Sequence, residues 1–229
     1  MKEVVDFLRQ LQANNNREWF IEHKADYQSA LAKFSAFGEE LIQRVGVFDP
    51  SVQGLTLKDC TFRIYRDLRF SKDKSPYKTH FGIYICKGGK KSGYSGYYFH
   101  VAAGGRNEGI MSSHVLAVGD YCFDARVLKT LREDIQNGDG DFDDIVRKQL
   151  DARLRFSDED KLKRVPQGFP ADSPWAEYLK LKVFCPYFEP DDRFIFDKHV
   201  CEHVADIFQT AKPFLDYLNR AIDYVREEM

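Results

Sequence analysis

The sequence predicts an α+β fold, in which a central antiparallel sheet is packed by a long N-terminal helix and by C-terminal helices. Apolar residues recur at helical spacing in the first 50 residues and again after Tyr121, whereas residues 56–114 alternate with a period of two. The glycine-rich run 87–93 lies between two strand-like segments and is typical of a hairpin loop, which makes those two strands antiparallel. We expect a single domain over residues 1–229, because 43% of them are hydrophobic and can supply one core.

Two helices are expected before the sheet. A stripe of apolar residues three and four positions apart predicts a short amphipathic helix over residues 3–13. The run Asn14-Asn15-Asn16 interrupts that stripe and supplies an N-cap for the next helix. This second helix should be long, from Arg17 to about Val45, where a glycine and a proline follow.

The remaining elements follow from the same patterns. Strands are expected near residues 56–70, 80–87, 94–103 and 108–115. After Tyr121 the chain should form helices over 124–137, 142–150 and 175–181, a strand over 182–188, and one or two helices over 198–226 with a break at Pro213. Residues 164–175 are rich in proline and glycine and indicate a surface loop.

Composition limits the function classes. The net charge of −2 and the pI near 6.3 give no reason to expect non-specific binding to nucleic acid or to an anionic membrane. Five widely spaced cysteines without a Cys-x-x-Cys pair exclude a redox dithiol motif and a zinc ribbon, and reduced thiols are expected. The N-terminal run turns charged too early for a signal peptide, and no apolar run reaches membrane-spanning length, so we expect a cytoplasmic protein. The sequence leaves the oligomeric state open.

The densest chemistry lies between Arg63 and His80. From Lys58 to Lys78 there are seven Lys/Arg residues against three Asp residues, although the chain as a whole is nearly neutral. Guanidinium groups held on a strand are either paired within the protein or bind an outside anion, and their planar fork matches carboxylate and phosphate oxygens. We therefore predict a site for a small anionic ligand, phosphorylated or carboxylated, at Arg63, Arg66, Asp67, Arg69, Lys74 and Tyr77.

A strand over residues 62–70 would place these side chains on two faces. Arg63, Tyr65, Asp67 and Arg69 would share one face, so that Asp67 orients both Arg63 and Arg69. Arg66 would lie on the other face among apolar residues and would need a buried carboxylate or phosphate partner.

Three interpretations of this segment remain open. The arginines could form an internal salt-bridge network in a non-catalytic structural or protein-interaction module, they could bind an anion, or they could be solvated surface charge. A weaker hypothesis is single-stranded nucleic-acid binding through the aromatic and basic strands. His80, His100 and Tyr77 are the candidates for acid–base catalysis, with histidines satisfied within the sheet as the simpler interpretation. Whether the protein is an enzyme stays open.

Two other patterns are weaker. The run His199-Val-Cys-Glu202-His203 has the form of an inverted zincin motif, but few residues remain downstream for a third ligand. The acidic run 139–144 fails the calcium-loop pattern because glycine and glutamate are missing at the required positions. No Walker A loop is present. We therefore expect no metal and no cofactor.

The basic segment resembles the hallmark of a mainly bacterial family known as domain of unknown function 2461. That hallmark is Arg-x-x-Arg-Asp-x-Arg-Phe followed by Asp/Asn-Lys-x-x-Tyr, and it is matched here by Arg63, Arg66, Asp67, Arg69, Phe70, Asp73, Lys74 and Tyr77. The resemblance extends to Arg17-Glu-Trp-Phe20 after the asparagines and to Gly96-Tyr-Tyr-Phe-His100. It spans essentially the whole chain, and it implies no particular activity or catalytic residue.

Overall fold

The structure is a computed structural model that describes residues 1–67, 69, 73–104 and 110–228. A four-stranded antiparallel sheet has the strand order β1-β2-β3-β4, with β1 (His80–Ile85), β2 (Gly96–Ala102), β3 (Val115–Gly119) and β4 (Tyr187–Phe188). Helices precede and follow this sheet, so the predicted α+β class is confirmed. No helix in the described part of the chain has the length and apolar character needed to span a bilayer.

Helices account for most of the remaining regular structure. Those before the sheet are α1 (Lys2–Ala13), α2 (Arg17–Glu22), α3 (Lys24–Phe48), a 3₁₀ turn (Pro50–Val52) and α4 (Leu57–Cys60). A second 3₁₀ turn (Ile110–Ser112) precedes β3. After β3 come α5 (Ala125–Asn137), α6 (Asp141–Asp144), a π turn (Ile145–Gln149), α7 (Ala176–Leu179), α8 (Asp192–Ile195), α9 (Val200–Thr210) and α10 (Lys212–Glu227).

The expected long helix from Arg17 is divided at His23. Asn16 caps α2 by accepting a hydrogen bond from the backbone N–H of Trp19, as the sequence predicts. The His23 ring stacks on Trp19 at 4.0 Å between ring centroids, and its Nδ1 lies 2.9 Å from the Trp19 carbonyl oxygen. This side chain competes for a helical carbonyl, so α2 ends at Glu22 and α3 begins at Lys24.

The predicted hairpin is confirmed. Strands β1 and β2 pair antiparallel, with Ile83 opposite Phe99 and Gly82 opposite His100. One face of the sheet is apolar and packs against the helices. For example, the Phe99 ring lies 5.0 Å from the Phe37 ring of α3, measured between ring centroids. The opposite face carries the polar side chains of the same strands, namely His80, Tyr84, Tyr98 and His100.

The first predicted strand, 56–70, is wrong for its described residues, and residues 68 and 70 lie outside them. Thr56 and Asp59 form a reciprocal capping box that starts the short helix α4, and the chain then runs in an irregular, extended form from Thr61. Of the strand expected near 108–115, residues 108–109 lie outside the described residues and residues 110–112 form a 3₁₀ turn. The strand occupies Val115–Gly119 instead, where all five residues are buried and the sequence does not alternate. The strand expected over 182–188 is reduced to its last two residues.

The C-terminal helices separate close to the expected position. Helix α9 ends at Thr210, and Pro213 lies in the first turn of α10, where its missing N–H needs no partner. Asn219 of α10 binds the hairpin by accepting from the backbone N–H of Ser95 (2.9 Å) and donating to its carbonyl (3.1 Å). The last helix is therefore attached to the sheet by polar contacts as well as by apolar packing.

Replacement of Gly119 should be among the most disruptive glycine changes. Its φ is +109°, and a Cβ atom there would lie 2.0 Å from the carbonyl oxygen of Phe184. We expect Gly119→Ala to lower the free energy of unfolding by about 3 kcal/mol or more, measured by urea denaturation. Gly168→Ala is the matched control, because Gly168 also has a positive φ (+94°) but meets nothing within 4 Å. It should cost only about 1 kcal/mol, and equal losses in both variants would contradict the steric explanation.

Candidate functional site

The basic segment folds back on itself as a short irregular hairpin. The Arg66 N–H donates to the Pro76 carbonyl (3.0 Å), and the Lys78 N–H donates to the Ile64 carbonyl (2.8 Å). We call the described residues within 63–78 the basic hairpin. Leu68 and Phe70 of the predicted strand lie outside the described residues, and so does Lys72 of the loop that follows it. The predicted sharing of faces along one strand is therefore replaced by two arms that face each other.

Asn15 holds the second arm of the basic hairpin. Its side-chain amide donates to the carbonyl of Tyr77 (2.9 Å), and its carbonyl oxygen accepts from the Tyr77 N–H (3.1 Å). The Tyr77 ring stacks on Phe20 at 3.9 Å between centroids and is only 5% exposed. Burial raises the pKa of the Tyr77 hydroxyl. Tyr77 is thus positioned as an anchor that fixes the hairpin on the turn between α1 and α2.

Two of the arginines contact acids of the same hairpin. Arg66 forms an ion pair with Asp73, and Arg69 contacts both carboxylate oxygens of Asp67 through Nε and Nη2. Hydrogen bonds from Ser75, together with the contact from Arg66, hold the pKa of Asp73 well below its usual range. The hydrogen bonds from Arg69 likewise lower the pKa of Asp67. These contacts match the internal-network interpretation for two of the three arginines.

Arg63 and Lys78 differ from these pairs. Among the residues that the structure describes, neither has a carboxylate within ion-pair distance. The charge of Arg63 contributes to the lowered pKa of Asp67 without an ion-pair contact between them. Lys78 is half-buried, with its Nζ 5.5 Å from the centroid of the Phe62 ring. Burial, followed by the charge of Arg63, lowers the pKa of Lys78. The exposed Arg63 and the half-buried Lys78 thus carry like charges that oppose each other at the base of the hairpin.

His100 is satisfied within the sheet. It is fully buried, with Nε2 at 2.6 Å from the Ser113 carbonyl oxygen and Nδ1 at 3.1 Å from the Tyr98 hydroxyl. A carbonyl can only accept, so Nε2 carries the proton and Tyr98 donates to Nδ1. Burial lowers the pKa of His100 to about 3. This geometry is the satisfied sheet histidine of the simpler interpretation.

His80 lies beside His100 but has different surroundings. The two ring centroids are 5.1 Å apart, and the His80 side chain is only partly buried. Neither of its ring nitrogens has a hydrogen-bond partner within the described ranges of the chain. Burial, followed by the positive charges of Lys78 and Arg66, lowers the pKa of His80 to about 4. The His80 imidazole is thus unprotonated near neutral pH, and the positive charges of Lys78 and Arg66 help to keep it so.

Gly82 makes room for the polar face of the sheet. It lies opposite His100, and a Cβ atom at this position would come 3.0 Å from the Tyr98 hydroxyl oxygen. A side chain there would displace the phenol from its hydrogen bond to His100. The sequence gives only an isolated glycine in a strand pattern as a signal for this close approach.

The structure brings together part of the predicted set and adds to it. The charge of Arg63 acts on Lys78 and that of Arg66 acts on His80, whereas Arg69 and Lys74 are exposed farther along the hairpin. Lys78 was not among the predicted ligand-binding residues, although it follows Tyr77 directly in the motif. Asn15 was predicted only as a helix cap, because its contact with Tyr77 spans 62 positions of the sequence.

The histidines of α9 are arranged separately. His199 faces Glu202 (3.4 Å), His203 faces Asp197 (3.5 Å), and their ring centroids are 6.3 Å apart. Each histidine therefore contacts a different carboxylate, and the two rings do not converge on a common metal position. Within the described ranges no three His, Cys, Asp or Glu side chains are grouped so that they could hold a metal ion.

Comparison with known proteins identifies the chain at the level of a family. The model of a family described as conserved hypothetical protein (DUF2461) matches residues 3–217. No curated protein and no solved structure matches the chain.

Removal of the Asn15 side chain should loosen the basic hairpin. Asn15→Ala leaves the Tyr77 N–H and carbonyl without these partners, and we expect a loss of about 2 kcal/mol in the free energy of unfolding. Asn14→Ala is the control, because the Asn14 amide donates only to the Gln10 carbonyl at an exposed helix end. Amide hydrogen exchange at Tyr77 and Lys78 should accelerate in the first variant alone. Unchanged exchange there would show that Asn15 does not hold the hairpin.

The low pKa of His80 should make stability depend on pH. Its pKa is about 4 in the folded protein and about 6.5 in an unfolded chain, so between these values the unfolded state binds more protons. Stability should therefore fall as the pH is lowered from 6.5 to 4. His80→Gln should reduce the slope of the unfolding free energy by up to about 1.4 kcal/mol per pH unit. Equal slopes for both proteins in urea titrations would contradict the assignment.

Proposed function

This chain belongs to the DUF2461 family of conserved hypothetical proteins, and we propose that it binds a small phosphorylated or carboxylated ligand at the basic hairpin. Arg63 and Lys78 would make the main contacts, and Arg66 would complete the site toward His80. Arg69 and Lys74 would attract the ligand from the tip of the hairpin, while Asp67 and Tyr77 would orient and anchor the segment.

The observation that carries this proposal is the pair of like charges at Arg63 and Lys78. A half-buried ammonium group loses hydration, and a neighbouring guanidinium raises the cost of its charge further. Among the described residues no carboxylate forms an ion pair with either group, although the Asp67 carboxylate interacts with the charge of Arg63 at longer range. An anionic ligand would relieve both costs at once, which supports a site that selects for negative charge.

Arg66 and Arg69 would contribute unequally. The Arg66 side chain is 25% exposed and its charge acts on His80, so it lies near the inner end of the site. The Arg69 side chain is 77% exposed and is already held by Asp67, and solvent screens such a pair strongly. We therefore assign the affinity mainly to Arg63, Arg66 and Lys78, and the attraction at longer range to Arg69.

The alternative function is a non-catalytic structural or interaction module with internally paired arginines. The contacts Arg66–Asp73 and Arg69–Asp67 favour it. It leaves the Arg63–Lys78 pair unexplained, because a purely structural network would place an acid between two such cations. Exposed Phe62 and Tyr65 next to this pair would also suit base stacking, so a short single-stranded oligonucleotide belongs in the same binding test.

Neutralising either main cation should weaken anion binding. Pyrophosphate, citrate and sulfate should raise the melting temperature of the wild-type protein, because a ligand that binds only the folded state stabilises it. Arg63→Gln and Lys78→Gln should each weaken the affinity about tenfold, measured by isothermal titration, which corresponds to about 1.4 kcal/mol.

The control for this experiment is Lys163→Gln. Lys163 is exposed and lies outside the basic hairpin, and its replacement changes the net charge by the same amount. Its affinity should stay at the wild-type value. If all three variants lose affinity equally, the binding is a non-specific charge effect. If no anion binds, the structural alternative is favoured.

A further inference from the structure

We propose that His80 is the acid–base group of this site and that the site takes up a proton together with its anion. The inference rests on the proposed function and adds to it a residue with a chemical role. The ligand class is then a phosphorylated or carboxylated compound whose own hydroxyl group, or a water molecule beside it, reaches the His80 ring.

His80 is distinguished by its free ring nitrogens. All six histidines of the chain lie among the described residues, and five of them have a polar partner: His23 with the Trp19 carbonyl, His100 with Ser113 and Tyr98, His114 with Ala102 and Asp192, His199 with Glu202, and His203 with Asp197. His80 alone among them has none. A partly exposed imidazole without internal partners can exchange protons with a ligand or with water.

The charged and titratable groups around His80 are few. Among the described residues, Lys78 lies two positions before it in the chain, Arg66 of the first arm of the basic hairpin acts on it through its charge, and the His100 ring of β2 lies 5.1 Å away by ring centroids. His100 keeps its single proton on Nε2 because the Ser113 carbonyl and the Tyr98 hydroxyl fix both of its nitrogens. The two cations therefore dominate the field at His80, and they oppose its protonation.

A bound anion would reverse that field. Negative charge beside Lys78 and Arg66 offsets their repulsion and favours the imidazolium form of His80. When a ligand hydroxyl or water supplies the proton, its O–H bond breaks, the electron pair stays on oxygen, and an N–H bond forms on His80. The resulting oxyanion would lie near the same cations. His80 would thus be a stronger base when the site is filled than when it is empty.

Anion binding and protonation of His80 are thermodynamically linked, so each must favour the other. Anion binding raises the pKa of His80 from about 4 in the free protein, so the complex holds more protons than the free protein above that value. Anion affinity should therefore increase as the pH falls toward 4, and should level off below it. The steepest dependence that a single proton allows is about tenfold in affinity per pH unit.

The experiment uses sulfate as the probe, because sulfate keeps its charge across this range. Isothermal titration from pH 7.5 to pH 4.5, in buffers of different ionisation enthalpy, counts the protons taken up on binding. Wild-type protein should take up as much as one proton as the pH is lowered. His80→Gln should still bind sulfate but lose that uptake, whereas His203→Gln should retain it.

An independent measurement does not need the variants to fold. The Hε1 resonance of His80 in the wild-type protein should titrate at a higher pH when sulfate is present. Sulfate binding that depends on Arg63 and Lys78 but leaves the His80 titration and the proton count unchanged would overturn this inference and leave the anion site intact. Absence of sulfate binding at every pH would overturn the anion site itself, and the inference with it.

Discussion

The double hydrogen bond between the Asn15 side chain and the backbone of Tyr77 holds the most cationic segment of this protein in place. A primary amide satisfies one backbone N–H and one C=O in the way a neighbouring strand would. With Tyr77 stacked on Phe20, it fixes the second arm of the basic hairpin against the turn between α1 and α2. Lys78 follows immediately and is therefore held near Arg63, and His80 begins β1 two residues later.

The two faces of the sheet differ in composition: one carries the apolar side chains that form the core, and the other carries the polar side chains, including two histidines. Its apolar side chains are buried against α1, α3, α9 and α10, and these contacts supply the hydrophobic stabilisation. On the polar face, His100 has both ring nitrogens occupied and stays neutral, which is how a buried polar group is tolerated. His80 lies 5.1 Å away by ring centroids, without such partners. The same strand pair thus presents one imidazole with both nitrogens occupied and one without hydrogen-bond partners among the described residues.

The cations of the basic hairpin also form two groups, those with an acidic partner and those without an ion pair among the described residues. Arg69 and Asp67 form an exposed pair of the kind that contributes little to stability. Arg63 and Lys78 repel each other, and Lys78 is half-buried, so their placement costs free energy in the absence of a ligand. Unfavourable electrostatics that persist in a well-packed region are typical of functional sites, where a ligand supplies the missing charge.

Much of the fold follows from local sequence patterns. Helical spacing gives α1, α5, α9 and α10, and the glycine-rich loop gives the β1–β2 hairpin, because these elements depend on residues close together in the chain. The alternation of the basic segment resembles a strand, but the Thr56–Asp59 capping box starts the short helix α4 just before it. The sequence alone identified where the cations are concentrated, and from them it predicts an anion site. Only the tertiary structure separated Arg66 and Arg69, which have acidic partners, from Arg63 and Lys78, and left His80 rather than His100 available. Those distinctions depend on burial and on contacts across tens of residues, which no local pattern records.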